Sequence, residues 1–203
     1  MKKQAILLGS FVLLASIFPL NSSAAESCNE VKECLDLASK LTGKSYTTTI
    51  KLQGGVTNSD DLKWNQSNAD KLITSLLFES NLIRVPIDEK TYKIVESRDV
   101  RYQSLPIMNV NTKSDSTGIP KTHDFFMASY TLTHPNSGAL IARALRPFIS
   151  RYGRIIESKL ASTLIIQDTG LNINRLHTLI GKLDVKPSKE ALRELKEKKN
   201  KEK

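Results

Sequence analysis

Between Thr163 and Asp184, TLIIQDTGLNINRLHTLIGKLD gathers Asp168, Asn172, Arg175 and His177, residue types that together carry acid–base chemistry. Helical spacing speaks against that use. Ile173, Leu176, Leu179, Ile180 and Leu183 share one face, and Arg175 and His177 fall about 100° to either side of Leu176, off the apolar stripe. No Ser or Cys nucleophile with a matching base is apparent. Asp168 follows the apolar run STLIIQ, where an acid commonly receives N–H groups from the next helix. Packing and capping account for these four residues, so no catalytic residue, cofactor or metal is expected and the chain reads as a non-enzyme.

The other reactive pair is Cys28 and Cys34, the two cysteines of the 203 residues. On one helix their Cα atoms would stand about 9 Å apart, beyond the roughly 7 Å a disulfide spans. A bond therefore requires Cys28 to precede the helix that holds Cys34; free thiols are the alternative. Two thiols with no nearby His make an incomplete metal set. A third group is Arg143, Arg146, Arg151 and Arg154, close together around a helix end and the start of a strand. They complement a helix dipole, or they form a partner interface, since Arg is enriched where proteins dock and holds carboxylates bidentately.

The ends of the chain set the compartment. Lys2 and Lys3 precede an apolar run from Ala5 to Leu20, followed by Ser23-Ala24-Ala25, so residues 1–25 read as a cleavable export signal. Export into an oxidising compartment favours joining the cysteines. Residues 186–203 hold eight Lys and Arg against four Glu, with few apolar residues, and read as a solvated charged tail. Of the net charge of +9, the signal contributes +2 and the tail +4, leaving +3 for residues 26–185. The basic balance is mostly an end effect, and no nucleic-acid partner is expected.

Two small domains are expected in between. In residues 26–97, VKECLDLASKLTG has helical spacing and Gly43 as its stop, and SYTTTI reads as a strand. Ser67-Asn68-Ala69-Asp70 forms a capping-box pattern ahead of a helix over Ala69, Leu72, Ile73, Leu76 and Leu77. NLIRVPI and TYKIVES read as a hairpin across Asp88-Glu89-Lys90. Residues 98–123 carry Pro106, Gly118, Pro120 and a polar NTKSDST run, and read as a linker. In residues 124–185, FFMASYTLTH alternates as a strand, with Phe126, Ala128, Tyr130 and Leu132 or the opposite set inward. Leu140, Ile141, Ala144, Leu145 and Phe148 form a helix face that Pro147 is expected to kink or to change in pitch, and Gly153 is expected to end that helix in a left-handed conformation. GRIIES and STLIIQD supply two more strands. The fold class is α+β: two small domains, each a short mixed sheet packed against two helices, expected to fold independently.

These motifs resemble a known family. YTLTHPNSGALIARALRPFISRYGRII and STLIIQDTGLNINRLHTLIGKLD are similar to the periplasmic domains of secretins, the outer-membrane channels of type II secretion and type IV pilus machines. Leu145-Arg146-Pro147, Gly153, Asp168 and Leu183-Asp184 carry the likeness, with Ser162 where the family usually has Asn. SNADKLITSLLFESNLIRVPIDEKTYKIVES resembles the short N-terminal module that secretins share with TonB-dependent receptors. The resemblance implies a KH-like second domain and a non-enzymatic periplasmic protein, associated with the outer membrane. It implies contact with a secretin channel or inner-membrane platform, or assembly as a homo-oligomeric ring. The chain ends soon after Asp184, and no channel domain is expected. The alternative is a signalling module that contacts a TonB-like transducer or regulator.

Overall fold

A computed structural model describes residues 27–57, 62–134, 137–158, 162–186, 188–190, 193 and 197. The expected signal, residues 1–25, and most of the charged tail lie outside the described residues. Among the described residues, seven strands and four α-helices form two mixed sheets with helices against them, an α+β fold.

The first unit opens with helix α1 (Val31–Thr42), which buries Val31, Cys34, Leu35, Leu37 and Ala38 and ends at Gly43, with φ of 69°. A residue without Cβ suits that left-handed cap. Strand β1 (Ser45–Thr48) follows, then helix α2 (Ala69–Glu79) and the hairpin β2 (Leu82–Pro86) and β3 (Thr91–Glu96). Asp88 shapes the hairpin turn by accepting the N–H groups of Lys90 and Thr91. β3 is central, parallel to β1 and antiparallel to β2. The capping box over residues 67–70 does not form. Asn68 caps α2 without a side-chain hydrogen bond, and Asp70 turns instead to Lys44 and Arg84, because a buried cation binds a carboxylate more strongly than a solvated N–H does.

The stretch 98–123, expected as a linker, carries regular structure. A 3-10 turn covers Ser97–Tyr102, and strand β4 (Ile107–Asn111) pairs parallel with strand β5 (Phe125–Thr131) as an edge of the second sheet. Met108 and Val110 pack inward while Ile107 is exposed. A five-residue edge strand with one covered face gives too short an apolar alternation to stand out between Pro106 and the polar run.

Helix α3 (Gly138–Leu145), strands β6 (Arg154–Ser158) and β7 (Thr163–Thr169) and helix α4 (Gly170–Leu183) complete the second unit, with strand order β4-β5-β7-β6. Its core joins Ala128, Tyr130 and Leu132 of β5 and its C-terminal edge to Ile141 and Leu145, Leu164 and Ile166, and Ile173, Leu176 and Ile180. Pro147 converts the end of α3 into a 3-10 turn, Arg146–Phe148, as a missing N–H requires. Gly153 is corrected: its φ is not positive, and glycine is needed there because a Cβ would sit 2.7 Å from the Asp168 carboxylate. Ser162 does take a left-handed conformation, with φ of 51°, which suits the Asn of the family pattern better than Ser.

The opposite face of β5 looks toward the first unit. Phe125, with Met127 and Tyr152 beside it, joins Ile83, Val85, Val95, Val100 and Leu105 in a third apolar cluster. One face of the first sheet therefore covers α1 and α2, and the other covers the second unit.

Candidate interaction surface

Arg84 occupies the middle of β2 with its side chain 1% exposed. Its guanidinium forks onto two carboxylates: Nε and Nη2 donate to Asp124 at 2.8 and 2.9 Å, and Nη1 and Nη2 donate to Asp70 at 2.6 and 2.9 Å. Tyr92 lies flat against it, 4.5 Å from ring centroid to guanidinium carbon. Burial alone would push the arginine pKa down, but Asp124 and Asp70 outweigh it and hold it above its ordinary value. Burial likewise pushes Asp70 up, and its bonds to Arg84 and Lys44 bring it below the usual carboxylate range. Because Asp70 belongs to α2 and Asp124 stands just before β5, this cation bolts the two units together. The residue was not singled out in sequence, where LIRVPI presents it as a polar position in a half-buried hairpin strand.

The four arginines at the end of α3 have the opposite surroundings. Arg143, Arg146, Arg151 and Arg154 are all exposed. Among the described residues none of them has an ion-pair partner. Arg154 is aimed by Gln167, whose Oε1 accepts from its Nε at 2.7 Å. Gln167 is buried and reaches the Val100 carbonyl with its other end, at 3.5 Å. Arg151 leans over the Tyr152 ring. Arg146 and Arg154 line one shallow cavity of about 330 Å³, so the structure brings at least these two together at the β6 edge. Ile156, in the same strand as Arg154, is 44% exposed and adds apolar area, whereas Phe148, 48% exposed, lines a separate cavity with Phe78 and His123.

The residues with acid–base potential have structural partners. Asp168 is fully buried and accepts from the N–H of Ser150 and of Thr169 and from the Asn172 amide, at 2.9, 2.7 and 2.6 Å. The cap of α4 is Thr169 rather than Asp168, its hydroxyl accepting from the Asn172 N–H. Arg175 donates to the Phe148 carbonyl at 3.1 Å. His177, expected off the apolar stripe, is nevertheless buried, stacked on Tyr130, with Nε2 2.7 Å from the Ser114 carbonyl. The cause is the stretch after β4, which lies over that side of α4. Asp184, also buried, gathers the N–H groups of Thr133 and His134 and the hydroxyls of Thr112 and Ser137. Burial pushes its carboxyl up, and these donors, led by Thr133 and His134, hold it below the usual range.

Cys28 precedes α1 and is bonded to Cys34 within it, with Cα atoms 5.1 Å apart and both residues buried. Among the described residues no three His, Cys, Asp or Glu side chains converge as a metal ligand set would, and no helix is long and apolar enough to cross a membrane.

No protein-family model matches the chain. It is 21% identical over 159 residues to the secretin XcpQ of Pseudomonas aeruginosa, a match that covers 78% of this chain and 22% of XcpQ. The chain thus spans about a fifth of the curated relative it matches. Among solved structures, a chain of the Klebsiella pneumoniae type II secretion outer-membrane complex of PulD, PulS and the PulC HR domain superposes with a TM-score of 0.61 and 18% identity, over 80% of this chain and 26% of that one. The crystal structure of the XcpQ N-terminal domain aligns over 79% of this chain and 64% of its own, at 19% identity and a TM-score of 0.30, too low to bear on the arrangement. With two units in series, a sheet and two helices in each, and a sequence match to a secretin running through both, the chain carries the fold of the N-terminal domains of secretins.

Proposed function

We propose that this chain is a non-enzymatic periplasmic protein of a secretin-dependent protein secretion or pilus system, exported by residues 1–25 and acting by domain-to-domain contact. The observation that carries this reading is the superposition of 80% of the chain, both units together, on a type II secretion outer-membrane component. That type II secretion outer-membrane complex holds PulD, PulS and the PulC HR domain together, which supports contact with a secretin channel or an inner-membrane component as the role of this chain. The arginines around β6 supply a surface for it: exposed, without an ion-pair partner among the described residues, and accompanied on β6 by the exposed Ile156. Exposed charges contribute little to folding, so a cluster of them is free to serve binding. The bond between Cys28 and Cys34 suits an oxidising periplasm.

Deletion of the gene, complemented by the wild type or by Arg151→Glu/Arg154→Glu, tests the reading. The deletion is expected to reduce secretion of type II substrates or piliation, the wild type to restore it, and the double variant to fold normally without restoring it. Unchanged secretion and piliation in the deletion strain would refute the secretin-system role. Full rescue by the double variant would remove the arginine surface from it.

A further inference from the structure

β6 is an outer strand, paired with β7 and with no other described strand. The free side of such a strand offers backbone N–H and C=O groups on which an incoming strand can pair. β4, the other edge of the sheet, is also open and exposes Ile107. Charge separates the two edges. Arg154 begins β6, and Arg146 faces the same shallow cavity, with neither meeting a carboxylate among the described residues. Gln167 fixes the Nε end of Arg154, which leaves its two terminal nitrogens to turn outward as a preset fork. Ser150 lines this cavity too, with its hydroxyl buried beneath it and without a hydrogen-bond partner among the described residues. Two guanidinium groups around an open cavity have the charge and geometry to take a carboxylate.

We propose that β6 accepts an extended acidic segment of a partner protein as a fifth strand, with a carboxylate of that segment held between Arg146 and Arg154 and an apolar side chain beside it covering Ile156. Lipid or nucleic-acid phosphates would be drawn to the same arginines, but they cannot pair with the strand's amides and carbonyls, and they leave Ile156 in water. A polypeptide satisfies all three. The proposal rests on the functional reading above only in taking the ligand to be a protein.

The test is selection of short random peptides displayed on phage against the full chain, followed by fluorescence titration and amide hydrogen exchange with the selected peptides. The selected sequences are expected to alternate acidic and apolar residues and to slow exchange at residues 155–158. They should bind Arg146→Glu/Arg154→Glu about tenfold or more weakly, the loss of one charge-assisted pair, and lose affinity for Ile156→Lys, a charge that blunts an edge. The neutral pair Arg146→Gln/Arg154→Gln repeats the measurement should charge reversal disturb folding, and the exchange data on the wild type need no variant. Absence of any selected peptide, binding insensitive to these variants, or protection elsewhere would overturn the proposal. So would self-association of the wild type that Ile156→Lys abolishes, because the edge would then serve a second copy. Failure here beside a retained secretion defect on gene deletion would sink the strand addition and leave the functional reading standing.

Discussion

Arg84 and Arg154 are the same residue in two opposite situations. Arg84 sits in β2 with its side chain 1% exposed, forked onto Asp70 and Asp124, its charge consumed inside the molecule. Arg154 sits on β6 in solvent, oriented by a neutral amide and without a carboxylate among the described residues. A buried cation must find its counter-charge at home, because an unpaired charge in the interior costs several kcal/mol. An exposed one has no such obligation, so its pairing is left to a partner. The difference gives the inner arginine to architecture and leaves the outer arginines available for the recognition role proposed above.

The comparison breaks most decisively at the buried end. Asp124→Ala leaves the Arg84 guanidinium with the Asp70 carboxylate alone, and a loss of about 2–3 kcal/mol is expected in urea or thermal unfolding, the cost typical of losing charge-assisted hydrogen bonds to a buried group. Because Arg84 and the shared cluster of Ile83, Val85, Val95 and Phe125 span both units, the wild type is expected to unfold in one transition rather than two. Two resolved transitions in calorimetry would restore the independent folding that the composition of residues 98–123 suggests.

Next in size is the disulfide. Cys28→Ser closes no loop in the unfolded chain, and for so short a loop the loss is about 2 kcal/mol. Equilibrium unfolding with and without reductant measures it, and alkylation of both thiols in the protein purified from the periplasm without reductant would show that the bond does not form there. Gly170→Ala probes how firmly the former linker is seated, since its Cβ would collide with the Pro120 carbonyl oxygen. About 1–3 kcal/mol of destabilisation is expected from such overpacking, and an unchanged midpoint would mean that residues 118–122 lift away freely. The smallest effect is with pH. Asp184 and Asp70 are both held below the ordinary Asp range, so their contributions are fully present above about pH 4 and are lost as pH falls through the folded values. Asp184→Asn should flatten the acid limb of the stability curve; an identical limb would remove Asp184 from the account.

Much of this fold is legible in the sequence because its signals are local. The spacing of Val31, Cys34, Leu35 and Ala38, the stop at Gly43, the hairpin turn at Asp88 and the proline in Arg146–Phe148 each depend on neighbours a few residues away. What sequence reading missed depends on distant partners. Asp70 looks like a capping residue until Arg84 comes within 2.6 Å. Gly153 looks like a left-handed stop until Asp168, fifteen positions along, is seen to occupy the space of its side chain. His177 lies off the apolar stripe of its helix, and the stretch after β4 covers it all the same. The one sign of Arg84 was an arginine between Ile83 and Val85 in a strand that otherwise buries its residues, a position where an unpaired cation is not tolerated.

The division of labour between inner and outer arginines is tested most directly by photocrosslinking in cells. A photoreactive amino acid at Ile156, in a strain with an intact secretin system, is expected to yield a crosslink to a component of that system, and Arg146→Glu/Arg154→Glu is expected to abolish it while the protein remains folded and exported. A crosslink of equal strength in the charge-reversed protein, or none in the wild type, would contradict the assignment of the outer arginines to recognition.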